Sequence, residues 1–393
     1  MEINNNTLKI LEDLVALDTT SRNSNLPVIE YIENYLDKYH IDSKRVWYEE
    51  NNKANLHAII GPPEKRGLAL SAHTDVVPVE GQNWTSDPWV LTQRENKLFG
   101  RGTADMKGFI AGTLAMIPEF SAAELVRPLH LIFSPDEEIG CLGIIPLIDN
   151  LIDSPNKPDY VIVGEPTSLQ IVLSHKEHFT FRCTVTGIEN HSSLAPEAVN
   201  AVEYASRLIT KITEIARRKA DSGPYDSEFH IPYTTLHTGL VRGGTAVNIV
   251  PKHANFEFEI RAIPKENSKA IIEEIHDFTN NRLVPEMKSV YKNASIELDL
   301  ISNTPGLDTS PTEMIVSEIK NLTTDIGSNA YGKVSYATEA GLFQKAGFPT
   351  VICGPGSIEQ AHGPDEYITI DQLNLLEQFL SRINIYLQER SMP

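Results

Sequence analysis

Histidine and carboxylate side chains follow several short apolar segments of this 393-residue sequence. His73 and Asp75 come directly after the apolar segment 67–72. The same placement recurs after the segments 129–133, 160–163 and 350–353, which are followed by Glu137 and Glu138, by Glu165, and by His362. Asp105 lies in a loop between the first two segments. Because ligands of open α/β sheets bind outside the carboxyl ends of the strands, we expect these side chains to meet at one sheet edge.

Such a cluster predicts a pair of divalent metal ions. Burying several carboxylates together is prohibitive unless protons or cations neutralise them. Two histidines and three carboxylates can serve two ions if one carboxylate bridges, and each ion then has one imidazole and two carboxylates. Imidazole favours zinc or cobalt, and the carboxylates would also tolerate manganese. Water held between the ions would lose a proton near neutral pH, since one zinc can bring the pKa of its water to about 7.

Each of these residues also has a simpler interpretation when it is taken alone. Histidine 73 with its two neighbours could be a hydrogen-bonded strand end, and Glu137 with Glu138 fits the solvated first turn of a helix. Asp105 could cap a helix, Glu165 could be a loop acid, and His362 could be a surface histidine. Their joint placement favours the metal site, because chance gives no reason for all of them to gather at strand ends.

The elements that would position these residues change character along the chain. The early segments are apolar without alternation, which is typical of a mostly parallel sheet with helices on both faces. From residue 177 onwards apolar and polar residues alternate strictly, as in 179–186, 255–261 and 295–300, and this indicates a sheet with one wet face. Two amphipathic helices, one predicted to start at Pro196, and a strand near 234–240 lie between them. The order strand, helix, strand, strand, helix, strand is the split βαβ, or ferredoxin-like, arrangement.

We therefore predict an α/β domain that is interrupted by a smaller α+β domain. The α/β domain comprises residues 1–176 and 301–393 and ends in a long helix over about 370–390. The inserted domain comprises residues 177–300.

Composition and charge exclude several classes of function. Acidic side chains outnumber basic ones, 53 against 34, so the formal net charge is −19 and binding to nucleic acid or to an anionic membrane surface is not expected. No apolar run approaches the roughly 18 residues of a membrane span. Residues 1–6 show no signal-peptide pattern, and the three scattered cysteines are expected to be buried thiols. A cytoplasmic location is the expectation.

The motifs resemble those of the acetylornithine deacetylase and succinyl-diaminopimelate desuccinylase family, within the two-metal aminoacylase and carboxypeptidase superfamily. The resemblance covers nearly the whole chain. It rests on the segment at His73, Gly-Arg-Gly-Thr-Ala-Asp-Met-Lys-Gly at 100–108, Asp-Glu-Glu-Ile-Gly at 136–140, Gly-Glu-Pro-Thr at 164–167, and the segments 336–341 and 353–362. It implies a two-metal catalytic domain with an inserted lid or dimerisation domain.

The resemblance also implies roles for individual residues around the metal pair. One ion would be held by His73, Asp105 and Glu165, and the other by Asp105, Glu138 and His362, so that Asp105 bridges. Glu137 would be the general base, and the peptide bond between Asp105 and Met106 would be cis. Asp75 lies two residues from His73 on an extended chain, so it can accept the second imidazole N–H and fix the tautomer.

Five further residues are candidates for contacts with the substrate. The resemblance implies that His191 stabilises the oxyanion across a dimer interface and that Asn248 contacts the substrate, although a surface turn explains either residue. Arg261 could bind the α-carboxylate of the substrate as a fork, or be a solvated charge on an edge strand. Glu339 could bind a side-chain ammonium or cap a helix, and Gly356 lies in a glycine-rich loop that is expected to contact substrate.

The function that the resemblance implies is metal-dependent hydrolysis of a linear amide bond by a cytoplasmic homodimer paired through its lid domain. Water and N2-acetyl-L-ornithine would give L-ornithine and acetate, a step of arginine biosynthesis. The alternatives within the superfamily are N-succinyl-diaminopimelate desuccinylase and another aminoacylase or dipeptidase. A binding or regulatory protein that has lost turnover is disfavoured, because every expected ligand and the base are present.

Overall fold

The computed structural model describes residues 4–48, 52–328 and 330–389. The helices are α1 Asn5–Val15, α2 Leu26–Asp37, α3 Gly108–Ala115, α4 Ile117–Ala122, α5 Ile145–Ile152, α6 Ala201–Ser222, α7 Ser268–Phe278, α8 Val284–Val290, α9 Met314–Leu322, α10 Ala340–Lys345 and α11 Ile370–Gln388. Residues 1–3 and Arg390 lie outside the described residues. Residues 1–3 begin the segment in which no signal peptide is expected, and Arg390 is the predicted end of the last helix.

The strands lie singly or in groups between these helices. They are β1 Ser43–Tyr48, β2 Lys53–Ile60, β3 Leu68–His73, β4 Thr92–Arg94, β5 Lys97–Phe99, β6 Leu129–Ser134, β7 Tyr160–Val163, β8 Val172–His175, β9 Glu177–Thr186, β10 Thr235–Gly243, β11 His253–Ala262, β12 Ser295–Thr304, β13 Leu307–Asp308, β14 Gly332–Val334, β15 Thr350–Ile352 and β16 Tyr367–Thr369.

The chain divides into two compact units. The α/β unit comprises Met1–Ser174, Leu307–Gly332 and Thr338–Pro393, and the α+β unit comprises His175–Gly306 and Lys333–Ala337. The second division lies beyond the predicted residue 300 because β12 is longer than its alternating pattern. A register shift between Leu300 and Ser302 breaks the alternation, but β12 continues to pair with β9 as far as Thr304.

The central sheet of the α/β unit is mostly parallel. Its strand order is β1-β2-β6-β3-β7-β15-β8-β13, and β14 pairs with β8. The inner strands β6, β3, β7 and β15 run parallel to one another, whereas β1, β2 and β8 pair antiparallel with their neighbours. Every residue of β3 and of β6 is buried, which explains why these segments are apolar without alternation. The predicted α/β class is confirmed.

Helix α3 lies in the core of this unit and fixes the loop that precedes it. All eight of its residues are buried. A Cβ on Gly112 would lie 2.4 Å from Cδ2 of Leu376 in α11, so a larger residue would require the Leu376 side chain to shift. Because α3 begins at Gly108, this packing holds the end of the segment 100–107, which carries Asp105. No helix in the described ranges has both the length and the apolar character needed to cross a bilayer.

The α+β unit has the predicted order of elements. Its sheet follows β10-β11-β9-β12, with every neighbouring pair antiparallel, and α6 and α7 supply core residues such as Leu208 and Ile275. The predicted start of the first helix at Pro196 is wrong. Pro196 lies in a 3-10 turn, Ser192–Glu197, and α6 begins at Ala201. The Asn200 side chain caps that helix by accepting hydrogen bonds from the N–H groups of Val202 and Glu203.

Two neighbouring histidines on β2 and β6 should make stability depend on pH. The rings of His57 and His130 stack, with Nε2 of His57 3.0 Å from Nδ1 of His130. Burial lowers the pKa of His57 to about 4 and that of His130 to about 3. The unfolded chain therefore binds more protons than the folded chain below pH 6.5, and stability falls as the pH decreases from 6.5 towards 3.

We expect His130→Asn to reduce this pH dependence, because the amide can occupy the place of Nδ1 and does not titrate. Between pH 7 and 4 the wild type should lose about 2 kcal/mol more free energy of unfolding than the variant. Urea denaturation of the metal-free proteins measures this difference. Parallel curves for the two proteins would show that the buried pair does not control the acid sensitivity.

Candidate metal centre

Three parallel strands bring their carboxyl ends together at the candidate site. β3 lies between β6 and β7, and His73 at its last position pairs with Ser134, the last residue of β6. The segment with Glu137 and Glu138 follows β6, and Glu165 follows β7. The predicted meeting of these side chains at one edge of the sheet is therefore present in the structure.

Asp105 lies between two imidazoles that come from distant parts of the chain. Its Oδ1 is 2.9 Å from Nε2 of His73, and its Oδ2 is 3.2 Å from Nε2 of His362. The His362 ring also reaches Glu138, with an Nε2–Oε1 distance of 3.1 Å. The peptide bond between Asp105 and Met106 is cis, as the sequence resemblance implies. One carboxylate thus contacts both imidazoles through opposite oxygens, which is the arrangement that a bridging ligand needs.

The donor atoms around these residues fit divalent cations. Ligand atoms of His73, Asp105 and Glu138 lie within 4.8 Å of one another, and so do those of His73, Glu137 and Glu165. Oε1 of Glu165 is buried, and no hydrogen-bond donor among the described residues reaches it. A buried carboxylate oxygen without a donor is costly unless a cation lies beside it. Imidazole nitrogen and carboxylate oxygen are ligands that zinc and related ions accept.

The pKa shifts within the cluster show that its buried carboxylates require positive charge beside them. Burial raises the pKa of Glu137 and Glu165 well above the ordinary range, and it raises that of Glu138 to about 7. Hydrogen bonds to Asp105 and Glu138 raise the pKa of His362 to about 11. Burial opposes ionisation of Asp105, but hydrogen bonds from the two imidazoles lower its pKa below the usual value. The cluster therefore favours the binding of positive charge, either protons or cations.

Asp75 positions the two acidic residues that follow β6, in addition to the histidine. Its Oδ1 accepts from the N–H of Glu137 at 3.1 Å, and its Oδ2 accepts from the N–H of Glu138 at 3.3 Å and from the Ser21 hydroxyl at 2.7 Å. The expected contact with His73 differs in detail. Nδ1 of His73 is 2.9 Å from the backbone oxygen of Asp75 and 3.6 Å from its carboxylate, because the carboxylate is engaged by the two amides.

A buried ion pair next to the candidate base was not predicted from the sequence. Nζ of Lys53 is 2.7 Å from both carboxylate oxygens of Asp136, and both side chains are almost fully buried. Asp136 has a φ of 57°, a conformation that aspartate tolerates, and Glu137 follows it directly. Asp136 belongs to a recognised motif, but nothing in the sequence indicates that Lys53, on a separate strand, would be its partner.

Glu339 lies in an environment that does not suit the expected contact with a substrate ammonium. Its side chain is 1 % exposed, and its two carboxylate oxygens accept hydrogen bonds from the hydroxyls of Ser71 and Ser134. These serines lie on β3 and β6, beside His73. A carboxylate held in this way would have to break buried hydrogen bonds before it could bind a ligand from solution. We therefore leave Glu339 out of the proposed substrate contacts.

The candidate residues of the α+β unit lie within that unit as follows. His191 is exposed, and the next residue, Ser192, donates its N–H to the backbone oxygen of Asn248 at 3.0 Å, so these two candidates are neighbours. Arg261 is not on an edge strand, because β11 lies between β10 and β9. Its guanidinium makes two hydrogen bonds, of 3.0 and 3.1 Å, to Glu259.

Gly356 lies in the α/β unit, in a turn next to the loop that carries Asp105. Its φ is +77°, which glycine adopts without strain, and its carbonyl accepts from the N–H of Ser168 at 2.6 Å. A Cβ at this position would lie 3.4 Å from the Cβ of Ala104. The turn therefore packs closely against the segment that carries Asp105.

Comparisons with known proteins agree with this architecture. An acetylornithine deacetylase of Proteus mirabilis is 33 % identical over 380 residues, which cover 96 % of this chain and 94 % of the relative. A tripeptidase from Staphylococcus aureus has a similar structure, with a TM-score of 0.76 at 19 % identity over 99 % of this chain and 100 % of that chain. A dinuclear metal binding peptidase of the M20 family from Bacillus subtilis has a TM-score of 0.65 at 15 % identity, over 98 % of each chain.

The match to a family model decides the classification. The model of peptidase family M20/M25/M40 matches residues 69–385, which include every candidate metal ligand from His73 to His362. With the relative at 33 % identity over almost the whole chain, this shows that the protein belongs to the M20/M25/M40 family of hydrolases.

Proposed function

We propose that this hydrolase cleaves the amide bond of N2-acetyl-L-ornithine with water, giving L-ornithine and acetate. The observation that carries the proposal is the Asp105 carboxylate, which contacts the imidazoles of His73 and His362. A carboxylate oxygen of the candidate base Glu137 lies within 4.8 Å of a ring nitrogen of His73. The curated relative of Proteus mirabilis supports the choice of substrate, because it is named an acetylornithine deacetylase. In this proposal the reaction belongs to arginine biosynthesis and takes place in the cytoplasm.

We propose two divalent metal ions as cofactors, with zinc as the first choice and cobalt as the second. His73, Asp105 and Glu165 would hold one ion, and Asp105, Glu138 and His362 would hold the other. The mixture of imidazole and carboxylate donors supports zinc, although cobalt accepts the same ligands. When bound, such ions lower the pKa of a water molecule and polarise the carbonyl of the scissile amide.

The side chain of Glu137 would transfer the proton. It would take a proton from the attacking water and give it to the nitrogen of the leaving amine, so that one group serves first as a base and then as an acid. Two contacts support a fixed position for Glu137. Its N–H donates to Asp75, and its Oε1 accepts from Sγ of Cys141 at 3.2 Å.

The substrate would also be held by residues outside the metal cluster. His191 would donate to the oxyanion from the partner subunit of a homodimer, and Asn248, its neighbour in the α+β unit, would contact the substrate. Arg261 would bind the α-carboxylate with the part of its guanidinium that faces away from Glu259. Gly356 would allow the substrate to approach the backbone of its turn. Exposed apolar residues on the edge strand β10, such as Leu240 and Val241, support pairing of two α+β units.

A substrate panel on zinc- or cobalt-loaded protein tests this proposal. We expect kcat/KM for N2-acetyl-L-ornithine to exceed that for N-succinyl-diaminopimelate by at least about 100-fold, which corresponds to about 2.7 kcal/mol. Preference for the succinylated compound, or for a dipeptide, would reassign the substrate within the family. Tight binding of acetylated amino acids without turnover would instead support a binding or regulatory protein.

A further inference from the structure

A hydrogen-bond network connects the backbone of Asp105 with the backbone of His362, two candidate metal ligands. It consists of Gln82, Arg101 and Glu366, all in the α/β unit, and we call it the Gln82–Arg101–Glu366 network. Arg101 and Glu366 are each 1 % exposed, and their side chains form an ion pair with an Nη1–Oε2 distance of 2.7 Å. Nη2 of Arg101 donates to Oε1 of Gln82 at 2.6 Å. The network therefore reaches from the core to the partly exposed Gln82.

At one end, the network holds the backbone of the bridging aspartate. Oε1 of Glu366 accepts hydrogen bonds from the N–H groups of Ala104 at 3.0 Å and Asp105 at 3.1 Å. A buried carboxylate is tolerated only when its charge is paired and its oxygens are satisfied, and here Arg101 and the two amides do both. Glu366 thus fixes the direction from which the Asp105 side chain enters the cluster.

At the other end, the network holds the backbone of His362. The carbonyl oxygen of His362 accepts from Nε2 of Gln82 at 2.8 Å, and Nη2 of Arg101 lies 3.5 Å from the same oxygen. The orientation of the Gln82 amide is determined by its surroundings. Its oxygen already accepts from Arg101 and from Nε1 of Trp84 at 3.0 Å, so its NH₂ group must face His362.

His362 needs such an anchor more than the other candidate ligands do. Its side chain is 49 % exposed, whereas those of His73 and Asp105 are 1 % and 5 % exposed. Its φ is +61°, a conformation that a residue with a Cβ keeps only when its surroundings impose it. Core packing therefore holds this imidazole less firmly than that of His73, and the hydrogen bonds to its backbone add to its contacts with Asp105 and Glu138.

We propose that Gln82, Arg101 and Glu366 are positioning residues for the metal pair, with Glu366 orienting the bridging Asp105 and Gln82 orienting His362. This inference rests on the proposed two-metal function. It makes a specific claim about affinity. Loss of the Gln82 donor should weaken the binding of only the ion that His362 holds. Loss of a Glu366 acceptor should weaken the binding of both ions, because Asp105 contacts both imidazoles.

The variant Gln82→Glu isolates the donor to His362. A carboxylate at this position can still accept from Arg101 and Trp84, but it has no hydrogen to donate to the carbonyl of His362. Gln93→Glu is the matched control, since Gln93 is an exposed glutamine whose Nε2 donates to the carbonyl of the nearby Glu95 at 3.2 Å. Both variants add the same negative charge to the protein.

The measurement is a titration of the metal-free proteins with Co²⁺ in competition with a chelator. His362→Ala identifies which of the two dissociation constants belongs to the ion of His362. In Gln82→Glu we expect that constant to rise by about 10- to 100-fold, the usual effect of losing a residue that hydrogen-bonds to a metal ligand. The other constant should stay within about 3-fold of its wild-type value. Glu366→Gln should raise both constants, because the single amide oxygen can accept from Arg101 or from the two N–H groups but not from both. In Gln93→Glu neither should change.

The outcomes separate the two levels of the proposal. Wild-type protein that binds fewer than two ions would contradict the proposed function before any variant is compared. Wild-type protein that binds two ions, with unchanged constants in Gln82→Glu, would overturn the positioning role alone. An equal rise of both dissociation constants in Gln82→Glu, together with a lower melting temperature of the metal-free variant, would show that Gln82 has a purely structural role. That result would also overturn the positioning role. If Glu366→Gln does not fold, Gln82→Glu still decides.

Discussion

Replacing Glu137 with Gln is expected to lower kcat for N2-acetyl-L-ornithine by about 10²- to 10⁴-fold, the range over which a positioned general base contributes. The amide has the shape of the carboxylate but cannot take a proton from water at neutral pH. Asp75 can still accept from the N–H of residue 137, so the backbone should stay in place. The metal content should remain at two ions per chain, because Glu137 is not a ligand in this proposal. Steady-state kinetics and elemental analysis on the same sample measure both quantities.

Two further variants make the result interpretable. Glu64→Gln changes an exposed acid far along the chain in the same chemical way and should leave kcat unaltered. Glu137→Asp keeps a carboxylate at a shorter reach and should retain more activity than Glu137→Gln. Near-normal activity in Glu137→Gln would remove the residue from the role of base. Loss of an ion would make it a ligand instead, a real alternative because its oxygen lies within 4.8 Å of donor atoms of His73 and Glu165.

Asp105→Asn should have the largest effect on the metals, because both ions lose a negatively charged ligand at once. Each Asp105 oxygen contacts a different imidazole, at 2.9 and 3.2 Å. We expect both dissociation constants for Co²⁺ to rise by more than about 100-fold, beyond what the loss of an outer partner causes. Activity should fall below detection at micromolar metal. Titration with Co²⁺ after removal of bound metal measures the two constants.

Glu165→Gln and His362→Ala are the comparison variants for this prediction. Each of these variants removes a ligand of only one ion, so each should raise one dissociation constant and leave the other unchanged. Circular dichroism of the metal-free proteins controls for misfolding. If Asp105→Asn behaves like either single-site variant, so that one ion still binds normally, the carboxylate of Asp105 does not bridge.

The edge of the sheet on which the site lies could be predicted from the sequence for a simple physical reason. Strands that are buried on both faces are mostly apolar, so their ends are visible as the points where clusters of ionisable residues begin. His73 and Glu165 were found in this way. The alternating strands of the α+β unit were equally readable, because a sheet with one wet face has a period of two.

The hydrogen bonds from Gln82 and Glu366 to the backbone of the candidate ligands could not be predicted in the same way. Gln82 and Glu366 act on residues from other parts of the chain, and a backbone hydrogen bond from a distant side chain leaves no periodic pattern. Arg101 lies in the motif at 100–108 and Glu366 lies four residues after His362, but the sequence does not show that their side chains pair. The surroundings of Glu339 could not be predicted either. Its position before a helix allowed a role in substrate binding, but only the structure shows the two serines that occupy its carboxylate.

The start of α6 and the place of Arg261 differ from expectation for local reasons. Proline at 196 suits the first turn of a helix, but the Asn200 side chain satisfies the free N–H groups five residues further on, where α6 begins. Arg261 follows an alternating pattern that fits an edge strand and an inner strand equally well. Pairing on both sides of β11 could therefore not be read from its sequence.

Anomalous diffraction from a crystal of the zinc-loaded protein tests the central claim most directly. The account predicts two peaks about 3.5–4 Å apart, each about 2.0–2.2 Å from a different oxygen of the Asp105 carboxylate. One peak should have the imidazole of residue 73 as a ligand and the other that of residue 362. A single peak, or two peaks that leave either imidazole or the Asp105 carboxylate uncoordinated, would contradict it.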